Sequence, residues 1–388
     1  MDIQKARSLF PYLKTGKIYL GHASTAPMST YVADRLRDYI TVRSEGVIDD
    51  YKSVLKSMDS VKAGIGRMIN TSADRIAFTD NTNNGINILA QSVIWEKGDR
   101  ILLNDLEFPA NVYPFMSLEK FGIEIDFVKS HDGIVSAEDI IKAITPATKL
   151  ISVSQVQFLS GYRVDLDAIG KVCRDKGIIF SVDAIQGLGA VRLDVQKSNI
   201  DFISCGTQKW LLGLQGLAFI YLSKSLQERI EPRHTGWLSV EDAWNLLDFK
   251  LVLKSTAEVF QGGTMNYPAI HVMDASLKLF EEFGFTEIEE RIIKNSVYFI
   301  SRLKEIGITT YPSEVDKKYL SGIVSFRHTS ADKIFHRLLA RNIVSSLREG
   351  GIRFAHHFYN TKEDIDKVID ALKEILNGLK FEELKKQR

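Results

Sequence analysis

Residues 201–221, DFISCGTQKWLLGLQGLAFIY, place one lysine, Lys209, between two apolar runs that have the composition of buried β-strands. Lysine carries a strongly hydrated cation, so burying its side chain is unfavourable unless the amine is neutral or paired. Lys209 is therefore either a surface residue on a turn or an amine whose pKa is lowered by burial, so that it can form a Schiff base. The segments around it help to decide between these two interpretations.

The sequence on both sides of Lys209 alternates short β-branched runs with helical segments. Strands are predicted for RIAFT, RILLN, EIDFV, KLISVS, IIFSVD, DFISCG and LAFIYL. Helices are predicted for NNGINILAQSVIW, NVYPFMSLEKFG, SAEDIIKAI with Ser136 as its N-cap, and DLDAIGKVCRDKG, which ends at Gly177. Because helical crossovers join parallel strands, we predict an α/β fold with a covered, mainly parallel seven-stranded sheet.

The pattern changes after residue 262. Long amphipathic helices, such as AIHVMDASLKLFEEFG, are followed there by the short strands GIVSFR, NIVSSL and GIRFAHH. We therefore predict a large domain over residues 16–262 and a smaller α+β domain over residues 263–388, which residues 1–15 complete.

Composition excludes several classes of function. The 388 residues include 50 Lys plus Arg and 49 Asp plus Glu, so no global charge favours nucleic acid or an anionic membrane as a partner. Without a signal-peptide core or an apolar stretch of about 20 residues, the expected location is the cytoplasm. Cys173 and Cys205 form no C-x-x-C pair, which argues against a disulfide framework or a thiolate zinc site, and no metal site is predicted.

Polar residues follow several predicted strands, at the sheet edge where open α/β folds bind ligands. Asp183 ends IIFSVD, and it could pair with a pyridinium nitrogen or cap the next helix, while Gln186 could reach a neighbouring oxygen. Thr82, Asn83 and Asn84 stand at a strand-to-helix junction, where free N–H groups and the helix dipole favour a phosphate as well as simple capping.

Phe108 follows another strand, and its ring could pack in the core or stack on a planar cofactor. A Schiff-base lysine, a pyridinium-pairing aspartate, a phosphate-binding helix start and a stacking ring are together what pyridoxal phosphate requires. The glycine-rich motifs G-x-G-x-x-G and G-x-x-x-x-G-K-[ST] are missing from the sequence. The combination therefore favours the buried, Schiff-base interpretation of Lys209.

With these residues the sequence resembles the class V aminotransferases, a branch of the fold type I pyridoxal-phosphate enzymes that includes cysteine desulfurases, isopenicillin N epimerase and kynureninase. The resemblance extends over YLGHASTAP, FTDNTNNGIN, EFPANVYPF, VQFLSG, DAIQGLGAVRLDV, DFISCGTQKWLLGLQG, FQGGTMN and GIRFAHHFYNTKEDID. It implies the fold type I architecture, pyridoxal 5′-phosphate as cofactor, and a homodimer with active sites at the subunit interface.

The resemblance also implies residue roles around the cofactor ring. Lys209 would form the internal aldimine and shuttle protons, and Asp183 would pair with the pyridine nitrogen. Gln186 would bond the phenolic oxygen. Phe108 would stack on the ring, where desulfurases use a histidine.

For the phosphate, the resemblance implies Thr82 and Asn83, with Thr264 of FQGGTMN reaching it from the other subunit. The family pattern before the lysine is usually Ser-Gly-His/Gln, whereas this chain has Gly206, Thr207 and Gln208. The phosphate-binding serine is therefore lost, and Thr207 is the expected replacement.

For the substrate, Arg353 of GIRFAHH matches the arginine that clamps the α-carboxylate, a bidentate role that suits a guanidinium. Gln157 matches a polar residue near that carboxylate, and His22 and Arg348 are further candidate substrate-binding residues.

These roles predict an enzyme that acts on an amino acid or amino-acid-like substrate through an external aldimine, by aminotransferase or C–S/C–C lyase chemistry. NIVSSLREGGIRF lacks the cysteine that desulfurases carry ahead of the carboxylate arginine, which argues against persulfide formation. The alternatives are an epimerase or racemase, although Phe108 cannot supply a second acid/base, a cysteine desulfurase-like protein, and a non-catalytic cofactor-binding regulator.

Overall fold

The computed structural model describes residues 1–386. Its strands are β1 Ile18–Tyr19, β2 Ile76–Thr79, β3 Arg100–Asn104, β4 Glu124–Val128, β5 Thr148–Ser154, β6 Ile179–Asp183, β7 Phe202–Gly206, β8 Ala218–Leu222, β9 Ile323–Arg327, β10 Ile343–Val344, β11 Ser346–Arg348 and β12 Gly351–Ala355. Its helices are α1 Ile3–Ser8, α2 Thr30–Glu45, α3 Tyr51–Ile69, α4 Thr82–Ser92, α5 Tyr113–Met116, α6 Ala137–Lys142, α7 Leu166–Lys176, α8 Lys224–Gln227, α9 Tyr267–Phe283, α10 Phe285–Glu305, α11 Ala331–Leu339 and α12 Lys362–Lys386.

The large sheet contains the seven predicted strands in the order β2-β8-β7-β6-β5-β3-β4. Five of them run parallel from β7 to β4, whereas β8 is antiparallel to both β7 and β2. The prediction of a mainly parallel seven-stranded sheet is therefore confirmed. Because β6, β7 and β8 are buried along their whole length, their sequences read as continuous apolar runs with little alternation.

Three of the four predicted crossover helices form as expected. The Ser136 side chain accepts a hydrogen bond from the backbone of Asp139 at the start of α6, and α7 ends at Gly177 in a left-handed conformation. The fourth prediction, NVYPFMSLEKFG, is wrong because this segment forms only the one-turn helix α5 and a 3₁₀ turn at Glu119–Phe121. Pro114 in the first turn of α5 offers no N–H, and the chain leaves the helix after Met116.

The C-terminal part of the chain contains a second, antiparallel sheet of order β11-β12-β9. Its core combines these strands with apolar residues of α10, α11 and α12. The short strand β1 pairs with β10, and Gly21 continues the contact as a bridge to Ala355. The N-terminal segment thus joins the C-terminal sheet.

The predicted domain division remains a prediction. Helix α9 belongs to the predicted smaller domain, yet Ala269, Ile270, Met273 and Leu277 share a core cluster with the large sheet. Residues 387 and 388 of the predicted smaller domain lie outside the described residues. Among the helices that the structure describes, none is long and apolar enough to cross a membrane.

Candidate active site

The carboxyl ends of β6 and β7 bring the principal candidates together. These parallel strands are neighbours, and Asp183 is the last residue of β6 while Gly206 is the last residue of β7. The chain continues from Gly206 directly into the loop that carries Lys209. The sheet therefore delivers a carboxylate and an amine to one edge, as the sequence predicts.

Lys209 is largely buried but has no hydrogen bond or ion pair from its Nζ to any residue that the structure describes. The Nζ lies 6.0 Å from the centroid of the Phe108 ring. Burial lowers the pKa of Lys209, an effect that the Asp183 charge opposes and the Arg353 charge reinforces. A buried, unpartnered amine with a lowered pKa is a nucleophile.

Asp183 is buried, and burial raises its pKa well above the usual range for a carboxyl group. The backbone N–H of Ile185 donates to its Oδ1 at 3.0 Å and favours the charged form, whereas the nearby Glu107 charge disfavours it. Asp183 has no ion-pair partner in the part of the chain that the structure describes. A buried carboxylate without a cation suits a protonated ring nitrogen.

Trp210 anchors the loop from the other side. Its indole Nε1 donates to Gln186 Oε1 at 3.0 Å, and Gln186 Nε2 donates to the carbonyl of Ala23 at 3.0 Å. A Cβ on Gly189, whose φ is +101°, would lie 2.4 Å from the carbonyl oxygen of Trp210. Gly189 is therefore required for this close approach. Both polar groups of the Gln186 side chain therefore already have partners. Its predicted contact with a phenolic oxygen stays a prediction.

The start of α4 lies against the end of β7. The backbone N–H of Gly206 donates to Thr82 Oγ1 at 3.0 Å, which places the first turn of the helix beside the loop of Lys209. Asn83 is exposed in that turn, where backbone N–H groups lack intrahelical acceptors. The arrangement suits an anion, although the roles of Thr82 and Asn83 stay predictions.

Thr207 and Gln208 differ in what their side chains contact. The Thr207 hydroxyl is directed at two carbonyl oxygens of its own loop, those of Leu214 at 2.9 Å and Leu217 at 3.0 Å. The Thr207 hydroxyl thus donates its proton within the loop. The prediction that Thr207 replaces the family serine stays a prediction. A Cβ built on Gly206 would lie 2.7 Å from Gln208 Oε1 and 3.2 Å from Thr82 Oγ1. Gln208, which was not among the predicted site residues, therefore converges with Thr82 over Gly206.

Glu107 is a second residue that the sequence reasoning missed. Its buried carboxylate accepts hydrogen bonds from Asn104 Nδ2 at 2.5 Å, Asn111 Nδ2 at 2.9 Å, Ser154 Oγ at 2.5 Å and Gln157 Nε2 at 3.1 Å, and from the Ser154 backbone at 2.7 Å. These donors belong to three separate segments. Glu107 therefore fixes the loop that presents Phe108, and it orients Gln157, whose buried Oε1 has no partner among the described residues.

Arg353 lies in the centre of β12 with a buried guanidinium. Its Nη1 donates to the carbonyl of Phe158 at 2.7 Å, its Nη2 donates to Ser24 Oγ at 3.2 Å, and its Nε has no partner among the described residues. Burial and the neighbouring Arg348 charge lower the pKa of Arg353 to about 10, so it remains charged at neutral pH. A buried cation without a carboxylate partner is a binding site for an anion.

Aromatic rings connect Arg353 to Lys209. The Phe158 ring, next to the carbonyl that Arg353 contacts, meets the Phe108 ring edge-on at 5.3 Å between centroids. Phe108 in turn faces Lys209 and is about half exposed, so its ring is not core packing. The position of Phe108 is therefore consistent with a ring that stacks on the cofactor.

His22 lies deeper than a substrate-binding role requires. It is fully buried, its Nε2 is 2.5 Å from the Tyr359 hydroxyl, and its ring stacks on Trp210 with 5.7 Å between centroids. Burial lowers the pKa of His22 well below the usual range and keeps it neutral. The structure thus places His22 behind the Lys209 loop, and its contact with substrate stays a prediction.

Thr264 is the predicted site residue that the structure does not bring to Lys209. It is exposed beside a cavity of about 580 Å³ whose lining includes Val47, Ile48 and Tyr267, and this lining contains no other predicted site residue. Its predicted role, contact with the phosphate of the partner subunit, is compatible with this position but stays a prediction.

The residues at this edge fit a cofactor with a planar ring, a basic ring nitrogen and an anionic group. Asp183 is the partner for the nitrogen, the half-exposed Phe108 is the platform, and the missing Cβ of Gly206 leaves a concave surface at the helix start. Lys209 supplies the amine. The comparisons with known proteins agree with this fit.

The chain belongs to the aminotransferase class-V family, whose model matches residues 18–368. It is therefore a class V aminotransferase-like enzyme of fold type I, and its cofactor is pyridoxal 5′-phosphate. It is similar to an uncharacterized aminotransferase, YcbU, of Bacillus subtilis (strain 168), with 25% identity over 370 residues that cover 95% of this chain and 97% of the relative.

Two further relatives are named as cysteine desulfurases. A probable cysteine desulfurase of Methanothermobacter thermautotrophicus is 27% identical over 400 residues, which cover 97% of this chain and 98% of that protein. The apo structure of a cysteine desulfurase from Thermococcus onnurineus NA1 superposes with a TM-score of 0.88 at 23% identity and covers 97% and 98% of the two chains. The fold prediction is thereby confirmed.

Proposed function

We propose that this enzyme acts on an amino acid or amino-acid-like substrate by aminotransferase or C–S/C–C lyase chemistry, with Lys209 as the residue that binds the cofactor and moves protons at the substrate Cα. One observation carries the proposal. A buried amine and a buried guanidinium, neither with a carboxylate partner among the described residues, lie at opposite ends of the Phe108–Phe158 ring pair. The Arg353 charge lowers the pKa of Lys209, so the two groups are near enough to interact, and such a pair suits the carboxylate and amino ends of one substrate.

Each residue has a separate task in this mechanism. Arg353 binds the α-carboxylate, and the Phe158 carbonyl and Ser24 hold the guanidinium in place for it. When bound, the cofactor supplies an electron sink for the bond that breaks at Cα. Asp183 keeps a proton on the ring nitrogen, because a buried carboxylate is stabilised by a cation beside it. Lys209, with its lowered pKa, accepts and returns the proton at Cα.

The cysteines support a reaction without a protein persulfide. Cys173 and Cys205, the two cysteines of the sequence, are both buried. Burial raises the pKa of Cys173 to about 12 and that of Cys205 well above its usual range, so neither provides a thiolate at neutral pH. We expect the Cys173→Ala and Cys205→Ala variants to keep the wild-type rate with any active amino acid. A large loss of sulfide release from cysteine in either variant would instead support desulfurase chemistry.

An absorbance spectrum tests the central assignment. The purified holoenzyme should show a visible or near-ultraviolet band that borohydride bleaches and that the Lys209→Ala variant lacks. Lys171 is a suitable control, because it lies on helix α7, and Lys171→Ala should retain the band. A panel of amino acids, followed by Cα–H exchange, keto-acid formation and sulfide release, then identifies the reaction. Wild-type protein that takes up no pyridoxal phosphate would sink the proposal.

We further propose a homodimer in which Thr264 contributes to the site of the partner subunit. Exposed apolar side chains in the same cavity lining as Thr264 support this, notably Val47 and Ile48, because a second copy would cover them. Sedimentation of the holoenzyme should give a dimer, and the Ile48→Asp variant should shift it toward monomer, while Phe121→Asp, at a similarly exposed residue outside this cavity lining, should not. A monomeric holoenzyme with full activity would contradict this role of Thr264.

A further inference from the structure

Two arginines share one hydroxyl at the mouth of the site. Ser24 Oγ accepts from Arg353 Nη2 at 3.2 Å and also lies 3.4 Å from Arg348 Nη2. The two guanidinium nitrogens are therefore no more than roughly 7 Å apart, since both lie on the same oxygen atom. Ser24 and Arg348 are exposed, whereas Arg353 is buried. The pair thus runs from the interior of the site to its opening.

The hairpin β11–β12 holds this arrangement in place. Arg348 ends β11 opposite Gly351, and Arg353 pairs with Ser346 two residues further along the same register. Between the strands, Glu349 and Gly350 both have left-handed backbone conformations, with φ of 44° and 72°. This tight turn fixes the Arg348 backbone relative to Arg353, and the Arg348 Nη1 also donates to the carbonyl of Leu347 at 2.7 Å.

The positive charge of this pair is not compensated. Neither guanidinium forms an ion pair with a carboxylate in the part of the chain that the structure describes. The like charges repel one another. Arg348 lowers the pKa of Arg353, and both arginines lower the pKa of Lys209. One α-carboxylate would neutralise Arg353 and leave Arg348 without an anion.

We propose that the substrate carries a second anionic group on its side chain, which Arg348 binds while Arg353 binds the α-carboxylate. The substrate class is thus a dianionic amino acid, with its second carboxylate or similar oxyanion a few bonds from Cα. This inference rests on the proposed function. Arg348 is a specificity-determining residue in this scheme, and it takes no part in bond breaking.

A spectral titration tests the inference with matched pairs of ligands. L-Aspartate and L-asparagine, and L-glutamate and L-glutamine, have similar sizes and differ in the side-chain charge. We expect the holoenzyme band to change at concentrations at least tenfold lower with the acids than with the amides. Arg348→Gln should weaken binding of the acids at least tenfold more than binding of the amides, and so abolish this preference. Arg341→Gln, a change at an exposed arginine outside the site, should preserve it.

Two results would overturn the inference. The first is equal affinity of the wild-type holoenzyme for acids and amides, and the second is an equal loss for both in Arg348→Gln. Calorimetry on the apoprotein adds a test that does not depend on the cofactor, because succinate should bind more tightly than butyrate, and Arg348→Gln should remove the difference. If succinate binds in this way but no amino acid alters the holoenzyme spectrum, the proposed function fails while the dianion site stands.

Discussion

The Arg353 guanidinium donates to the carbonyl of Phe158 at 2.7 Å, so a C-terminal strand reaches into the loop that follows β5. This contact holds Arg353 beside the residue whose ring meets the Phe108 ring. Arg353→Gln removes the charge and leaves a neutral amide in the same place. We expect the KM for an amino-acid substrate to rise about 10- to 100-fold, since hydrogen bonds to charged groups contribute about 1.5–3 kcal/mol.

The Arg353→Lys variant is the matched control for charge. It keeps a cation but loses the planar fork, so steady-state kinetics should show an intermediate KM. Both variants should still bind the cofactor and show its absorbance band, because Arg353 contacts the substrate. A wild-type KM in Arg353→Gln would contradict the role of Arg353.

Glu107 should contribute strongly to stability although it contacts no cation in the described chain. Glu107→Gln replaces one carboxylate oxygen with an NH₂ group, which cannot accept a hydrogen bond. If this group takes the place of Oε2, the donors on Ser154 and Asn111 lose their acceptor. Leaving buried donors unpaired costs about 1–3 kcal/mol, and we expect the free energy of unfolding in urea to fall by that amount. Glu228→Gln, at an exposed position, should change it by less than about 0.5 kcal/mol. Equal stability of the two variants would show that the network is not needed.

Buried histidines should make the fold sensitive to mild acid. Burial lowers the pKa of His356 to about 4 and that of His357 to about 3, while an unfolded histidine titrates near 6.5. Both are neutral in the folded protein, so their contribution is fully present above pH 6.5 and is lost as the pH falls below it. Between pH 7.5 and 5.5 each should lower the free energy of unfolding by about 1.4 kcal/mol.

Urea unfolding at several pH values measures this effect. Between pH 7.5 and 5.5, the free energy of unfolding should fall by about 1.4 kcal/mol less in His356→Gln than in the wild type. His131→Gln changes an exposed histidine and should follow the wild-type curve. The raised pKa of Asp183 acts in the opposite direction, so the comparison of variants is more informative than the wild-type slope. If the free energy of unfolding changes with pH equally in His356→Gln and in the wild type, buried His356 is not the cause of the acid sensitivity.

Gly189 should be essential to the Lys209 loop. An alanine there would have an unfavourable φ of +101° and a Cβ 2.4 Å from the Trp210 carbonyl oxygen. Gly16→Ala is the control, because its φ of +74° imposes a backbone cost with no atom within 4 Å of the new Cβ. We expect Gly16→Ala to lose about 1–2 kcal/mol of stability with normal cofactor binding. Gly189→Ala should lose more and bind pyridoxal phosphate at least tenfold more weakly, as absorbance titration would show. Equal affinity for pyridoxal phosphate in both variants would show that the close contact at Gly189 does not position the Lys209 loop.

Local sequence was sufficient to predict most of the fold. The central strands β6, β7 and β8 have largely apolar sequences, and their burial in the sheet explains why this signal is strong. The helix predicted for NVYPFMSLEKFG failed because its apolar spacing suggested a helix that Pro114 and the surrounding turns do not permit. Periodicity reports which residues are buried, and it does not report whether the backbone between them is regular.

The sequence pointed to candidate site residues where a charged side chain stands in an apolar run. Lys209 and Asp183 stand out because charged side chains in apolar runs need a reason. Glu107 and Gln208 were missed because their partners come from distant segments, and sequence alone does not show that Ser154 or Thr82 will lie beside them. Asn111, four residues after Glu107, was the available signal for the network.

The contacts of residues 18–26 have a consequence for biosynthesis. This segment pairs with β10 and β12, and Ser24 meets Arg353 across 329 residues of sequence. The same segment holds the Lys209 loop, since the backbone N–H of Ala26 donates to the Gln208 carbonyl. Residues 18–26 therefore reach these contacts only after residues 343–355 have been synthesised, and contacts of such long separation form slowly. Until these contacts form, the segment that holds the Lys209 loop is not fixed, so we expect the cofactor to bind only after residues 343–355 have been synthesised.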